Sequence, residues 1–122
     1  MTTETSTTTQ ITDSAEHAIT RADKQRKQLA ESMTADSFHL DTYSLQPVLR
    51  AQANALPWRH VRARINTGLT PIEALRDVRA EQTRRLLGTS ESQSTDALVN
   101  ETERMEREAA RNFLRDTERL AA

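Results

Sequence analysis

Two glycines and three prolines punctuate a chain of 122 residues. A strand-rich fold turns its backbone back every few residues and draws on glycine, proline and β-branched or aromatic side chains to do so. Here aromatic residues make up 3% of the chain, so the long intervals between Pro47, Pro57, Gly68, Pro71 and Gly88 can only be filled by helix. The sequence predicts an all-α fold. Apolar residues make up 35% and charged residues 29%, so the core must be small and narrow.

The apolar spacing places the helices. The stretch DSAE, residues 13–16, reads as a capping box, with Asp13 as N-cap and Glu16 reaching back. It predicts an N-terminal helix to about Met33, with Ala15, Ala18, Ile19, Ala22, Leu29 and Met33 on one face. Residues 1–12 are rich in Thr and Ser and read as a disordered tail. Residues 34–44, which carry Phe38, Leu40 and Tyr43, read as the connector that completes a 13–43 segment. Ser44 caps a helix of 45–55, buried through Leu45, Val48, Leu49 and Leu56. Pro57 opens a separate helix of 57–67, seated by Trp58, Val61 and Ile65. Gly68 suits the left-handed position that ends a helix. TPIE, residues 70–73, is a second capping box with Pro71 at the first helical position. The helix that follows, to about Leu87, buries Ile72, Leu75, Val78 and Leu86. The expected organisation is thus a central core of 44–88, a polar linker of 89–95 and an appended C-terminal helix of 96–122. That last helix carries a narrow stripe of Leu98, Met105, Ala109 and Phe113, with Leu114 and Leu120 nearby.

Several chemistries lack their residues. There is no cysteine, which removes disulfides and thiolate chemistry and fits a reducing cytoplasm. His17, His39 and His60 share no metal-ligand spacing. Two isolated glycines build no phosphate loop, and no serine sits in a nucleophile elbow. The sequence therefore predicts a non-enzyme with no cofactor and no metal. No apolar run approaches the ~20 residues of a membrane span, and the expected location is cytoplasmic.

Charge is unevenly distributed. The net charge is -1. Residues 1–46 carry four Lys/Arg against seven Asp/Glu, and residues 88–122 carry five against eight. The middle, 47–87, carries eight arginines against three acids. A smaller basic cluster, Arg21, Lys24, Arg26 and Lys27, reads as a solvated helix face.

The middle segment also carries a motif-like frame. Ala51, Ala55, Leu56 and Val61 have the spacing of a helix–turn–helix, with Ala51 at the crossing and Ala55 at the corner, where glycine is favoured. VRARINTGLTPIEAL, residues 61–75, resembles the element V-x-x-R-(L/I)-x-x-G-x-(S/T)-P-x-E-A-L of small helix–turn–helix DNA-binding modules in bacteriophage and actinobacterial proteins. Val61, Arg64, Ile65, Gly68, Thr70, Pro71, Glu73, Ala74 and Leu75 match it. Leu69 departs, because family members carry an aromatic residue there. The resemblance implies a small regulator of phage type that reads duplex DNA with the helix of 57–67. Arg59, His60, Arg62 and Arg64 would lie on its outward face, and Arg76 and Arg79 would flank the phosphate backbone. The last helix would serve a homodimer. A second reading stands beside it: the arginines are the solvated face of amphipathic helices, and the protein is a helical assembly or adaptor component, like a phage scaffold or chaperone, with no nucleic-acid role.

Overall fold

The computed structural model describes residues 2–33, 42–88 and 97–121. Over these it contains four α-helices and no strand: α1, Thr2–Ser32; α2, Thr42–Asn66; α3, Pro71–Gly88; and α4, Ala97–Ala121. The expected all-α class is observed. Residues 34–41 of the connector, with Phe38, and the linker at 89–95 lie outside the described residues, whereas Thr42–Ser44 already belong to α2, which starts before the expected Ser44 cap.

Successive helices run in opposite directions. Gln52 Nε2 donates to the Ala22 carbonyl at 2.9 Å, and Ile11 shares the core cluster with Val61. Partners thus rise along α2 as they fall along α1. Arg64 pairs with Asp77 and His60 with Glu81 across α2 and α3. Arg85 reaches Glu106 while Arg79 reaches Leu114 across α3 and α4. Every helix touches the other three, and the packing of α2 on α1 is the most extensive.

The core is as narrow as the composition requires. Ile11, Val61, Ala74, Leu75, Val78 and Phe113 form its cluster, with Trp58, Ile65, Leu69 and Ile72 packed against it. Trp58 meets Phe113 edge-on, with centroids 5.0 Å apart at 79°, a favoured aromatic geometry.

The turn between α2 and α3 follows its sequence closely. Gly68 has φ 115°. Its N–H donates to the Ile65 carbonyl at 3.0 Å, and the Leu69 N–H donates to the Arg64 carbonyl at 3.1 Å. This pair of bonds is the Schellman closure, which satisfies carbonyls that a helix end would leave open. The following cap is reciprocal. The Glu73 N–H donates to Thr70 Oγ1 at 3.2 Å, and the Thr70 N–H and hydroxyl reach Glu73 Oε1 at 3.4 and 2.7 Å.

Four expectations are corrected. The first helix begins at Thr2 rather than at an Asp13 cap. Ile11, inside the expected disordered tail, is 0% exposed. Its seat against α2, α3 and α4 anchors the polar turns around it, and tertiary burial overrides their weak propensity. At the other end of α1, Met33 is 55% exposed and does not close the stripe.

The expected corner at Ala55–Pro57 is absent. α2 runs unbroken through both Pro47 and Pro57, so the helices of 45–55 and 57–67 are one. A sharp corner needs a residue in the left-handed region, which costs roughly 1–2 kcal/mol for an L-residue. Alanine occupies that position, and no described residue other than glycine has positive φ. Alanines 51, 53 and 55 favour helix, and Ala55 and Pro57 are buried in the helix as it stands.

The C-terminal helix is not an appendage. Met105, Ala109, Ala110 and Phe113 are buried, and α4 packs on both α2 and α3. Met105, Ala109 and Phe113, which belong to the stripe expected to hold a homodimer, are therefore covered within the chain.

Candidate functional site

The candidate DNA-contacting residues lie on the second half of α2 and the first half of α3. A helix has faces about 100° apart per residue, so neighbours in sequence diverge in space. That divergence separates the set.

Arg59 turns towards α1. Its Nη2 donates to Asp23 Oδ1 at 3.2 Å and to Gln52 Oε1 at 3.1 Å. Its Nε is buried without a hydrogen-bond partner. His60 and Arg64, four residues apart, turn towards α3. Asp77 and Glu81, also four apart, meet them there. Arg64 Nε donates to Asp77 Oδ2 at 2.6 Å, and its Nη2 donates to Glu81 Oε2. His60 Nδ1 lies 3.3 Å from Glu81 Oε1. Burial alone would lower the Arg64 pKa, but the hydrogen bonds and charges of Asp77 and Glu81 outweigh it and raise it above the ordinary arginine value. The guanidinium is a permanent cation clamped between two carboxylates.

Arg79 turns towards α4, where Nη1 donates to the Leu114 carbonyl at 2.6 Å and to Thr117 Oγ1. Thr117 is fully buried and donates in turn to the Phe113 carbonyl at 2.6 Å. Arg79 thus closes a polar network beneath the last two turns of α4.

Arg62 and Arg76 face solvent and form no ion pair among the described residues. Of the six residues expected to meet DNA, these two alone present an unengaged guanidinium. The structure does not gather the six on one outward face.

Sequence reasoning missed the clamp, although a signal was present. The pairs Arg64–Asp77 and His60–Glu81 share one midpoint in the sequence, between Thr70 and Pro71. In an antiparallel hairpin, positions equidistant from the turn face one another.

It also missed a groove along the first half of α2. An open depression of about 480 Å³ lies between α1 and α2, with Arg21 and Arg50 on its walls. Among the described residues there is no group of three His, Asp or Glu side chains placed to hold a metal ion. No described helix is long and apolar enough to cross a membrane.

The fold and these two regions define an all-α protein of four antiparallel helices. No family model, no curated protein and no solved structure matches the chain.

Proposed function

We propose that the protein is a non-enzymatic helical assembly or adaptor component that acts by presenting a surface to a partner. One observation carries this reading: four of the eight arginines of the central segment, Arg59, Arg64, Arg79 and Arg85, are committed to contacts between helices. Arg59 is held by Asp23, Arg64 by Asp77 and Glu81, and Arg79 by the end of α4. A reading helix must hold its guanidinium groups free for phosphates and base edges. Here they join helices to one another. Part of the positive charge in 47–87 is then an architectural feature, because Arg59, Arg64 and Arg85 each meet a carboxylate on a neighbouring helix.

The second reading, a DNA-binding regulator, is favoured by a specific observation of its own. Arg62 and Arg76 are exposed and unengaged, and they would bind phosphates. A gel shift against random-sequence duplex separates the two. The adaptor reading expects no discrete complex at low salt, and no difference between the wild type and the pair Arg62→Gln with Arg76→Gln. A complex that this pair abolishes, with each single substitution making the salt dependence shallower by about one unit of slope, would replace the adaptor reading with the regulator.

A further inference from the structure

The groove between α1 and α2 has an ordered wall on each side. On α1 the wall is His17, Arg21 and Gln25; on α2 it is Gln46, Arg50 and Asn54. Each set is spaced i, i+4, i+8, which aligns three side chains along one helix face. Because the helices are antiparallel, the sets run in opposite order. That opposite order matches Gln25 with Gln46, Arg21 with Arg50 and His17 with Asn54 along the groove. Both arginines occupy the middle rung. Ala18 and Ala51, both half-buried, also line it, so small groups leave room between the walls.

Charge within the groove is unbalanced. Among the described residues, no Asp or Glu lines it. Arg21 and Arg50 are exposed and form no ion pair among the described residues. The charge of Arg50 reaches Glu101, near the start of α4, but that carboxylate is already hydrogen-bonded by Arg104 at 3.2 Å. Two cations facing one another across an open space repel, and an anion between them removes the repulsion.

We propose that this groove binds a phosphate-bearing anion, with Arg21 and Arg50 gripping the phosphate from opposite walls and the carboxamides of Gln25, Gln46 and Asn54 orienting the rest of the molecule. Geometry selects phosphate over carboxylate. A carboxylate offers its two oxygens along one edge, which suits one guanidinium fork. A tetrahedral phosphate presents oxygens in several directions and satisfies two forks at once. The groove exceeds what a single inorganic phosphate fills and falls within the roughly 300–1,000 Å³ of small-molecule sites. A phosphate ester or a pyrophosphate matches it. The three carboxamides offer both donors and acceptors, so they can orient a polar substituent of either kind.

The inference is independent of the adaptor and regulator readings, since Arg62 and Arg76 do not line the groove. The test is a titration of the full chain with pyrophosphate, a nucleoside monophosphate, inorganic phosphate and citrate, followed by calorimetry and by backbone amide NMR. Saturable binding of pyrophosphate or the monophosphate is expected, with shifts confined to residues 17–25 and 46–54. Arg21→Gln and Arg50→Gln should each weaken it roughly tenfold or more, the effect of one charge-assisted hydrogen bond. Arg84→Gln, an exposed arginine on α3, should leave it unchanged. Both groove arginines are exposed, so the variants should melt like the wild type. Tighter binding of the ester than of inorganic phosphate assigns the site to esters, and the reverse assigns it to the free ion. The proposal is overturned if no phosphate species saturates the protein, if citrate binds as tightly as pyrophosphate, if the double variant binds as well as the wild type, or if the shifts spread over every basic surface.

Discussion

The two halves of α2 treat arginine in opposite ways. On the α3 side, Arg64 is fixed between Asp77 and Glu81. On the α1 side, Arg50 shares a groove with Arg21, and among the described residues no Asp or Glu lines that groove. Both lie on the same helix, fourteen residues apart in sequence. What separates them is the residue opposite. A local density of positive charge says little about function until the facing helix is known, because a guanidinium with acidic neighbours is a joint and one without them is a binding group.

The comparison can be broken at its foundation. Both sides rest on a core that α4 helps to build. Phe113→Ala should remove about 3–5 kcal/mol of stability, read by chemical denaturation. A loss below about 1 kcal/mol would mean that α4 is only loosely attached and that the hairpin joint stands without it.

The joint itself comes next. Arg64→Met removes the cation and leaves two carboxylates facing each other. We expect a loss of about 1–2 kcal/mol, more than an ordinary surface pair, because one guanidinium serves two acids. In a double-mutant cycle with Asp77→Asn, the two substitutions should not be additive. Additivity would show that the pair contributes nothing and that Arg64 is free in solution.

Gly68→Ala tests the turn that brings the two acids opposite their partners. No atom lies within 4 Å of the added methyl group, so the cost is purely that of the left-handed backbone, roughly 1–2 kcal/mol. An unchanged melting curve would mean that the turn has another conformation.

The smallest effect is expected in the groove. Arg50→Gln should change stability by no more than about 0.5 kcal/mol without ligand, and in the stabilising direction if Arg21 repels it. A large loss there would erase the contrast, since Arg50 would then be a joint like Arg64.

Local chemistry was the legible part of this fold. The Thr70–Glu73 box and Gly68 depend on residues within a few positions of one another, and both formed as their sequence implies. Val61, Leu75, Val78 and Phe113 were legible through helical spacing. The failures all concern partners distant in the chain. Ile11 has polar neighbours on both sides, and only its seat against three other helices explains its burial. Pro57 reads as a boundary because the cost of a missing hydrogen bond is local, whereas the packing that outweighs it is not. The arginines were legible as a cluster, but Asp23, Asp77, Glu81 and Thr117 decide their roles. Each of these lies on a different helix from the arginine it holds, beyond the reach of a charge count. Arg62 and Arg76 are the two for which exposure and expectation agree. The groove was hidden for a related reason: its two ladders are unremarkable alone and acquire meaning only when antiparallel packing sets Arg21 against Arg50.

Pro57 has a consequence for how α2 opens. Proline carries no N–H, so the Ala53 carbonyl has no donor four residues ahead. Ala53 is only half-buried, and water can satisfy it. The hydrogen-bond ladder is thereby interrupted between the half of α2 that forms the groove and the half that forms the joint. Cooperative opening passes along a helix through that ladder. Amide exchange should divide α2 into two protection classes at this point, with slow exchange after Trp58, where Val61 is sealed by α3 and α4, and faster exchange before Asn54. The groove side can then loosen and close on its own while the hairpin stays folded.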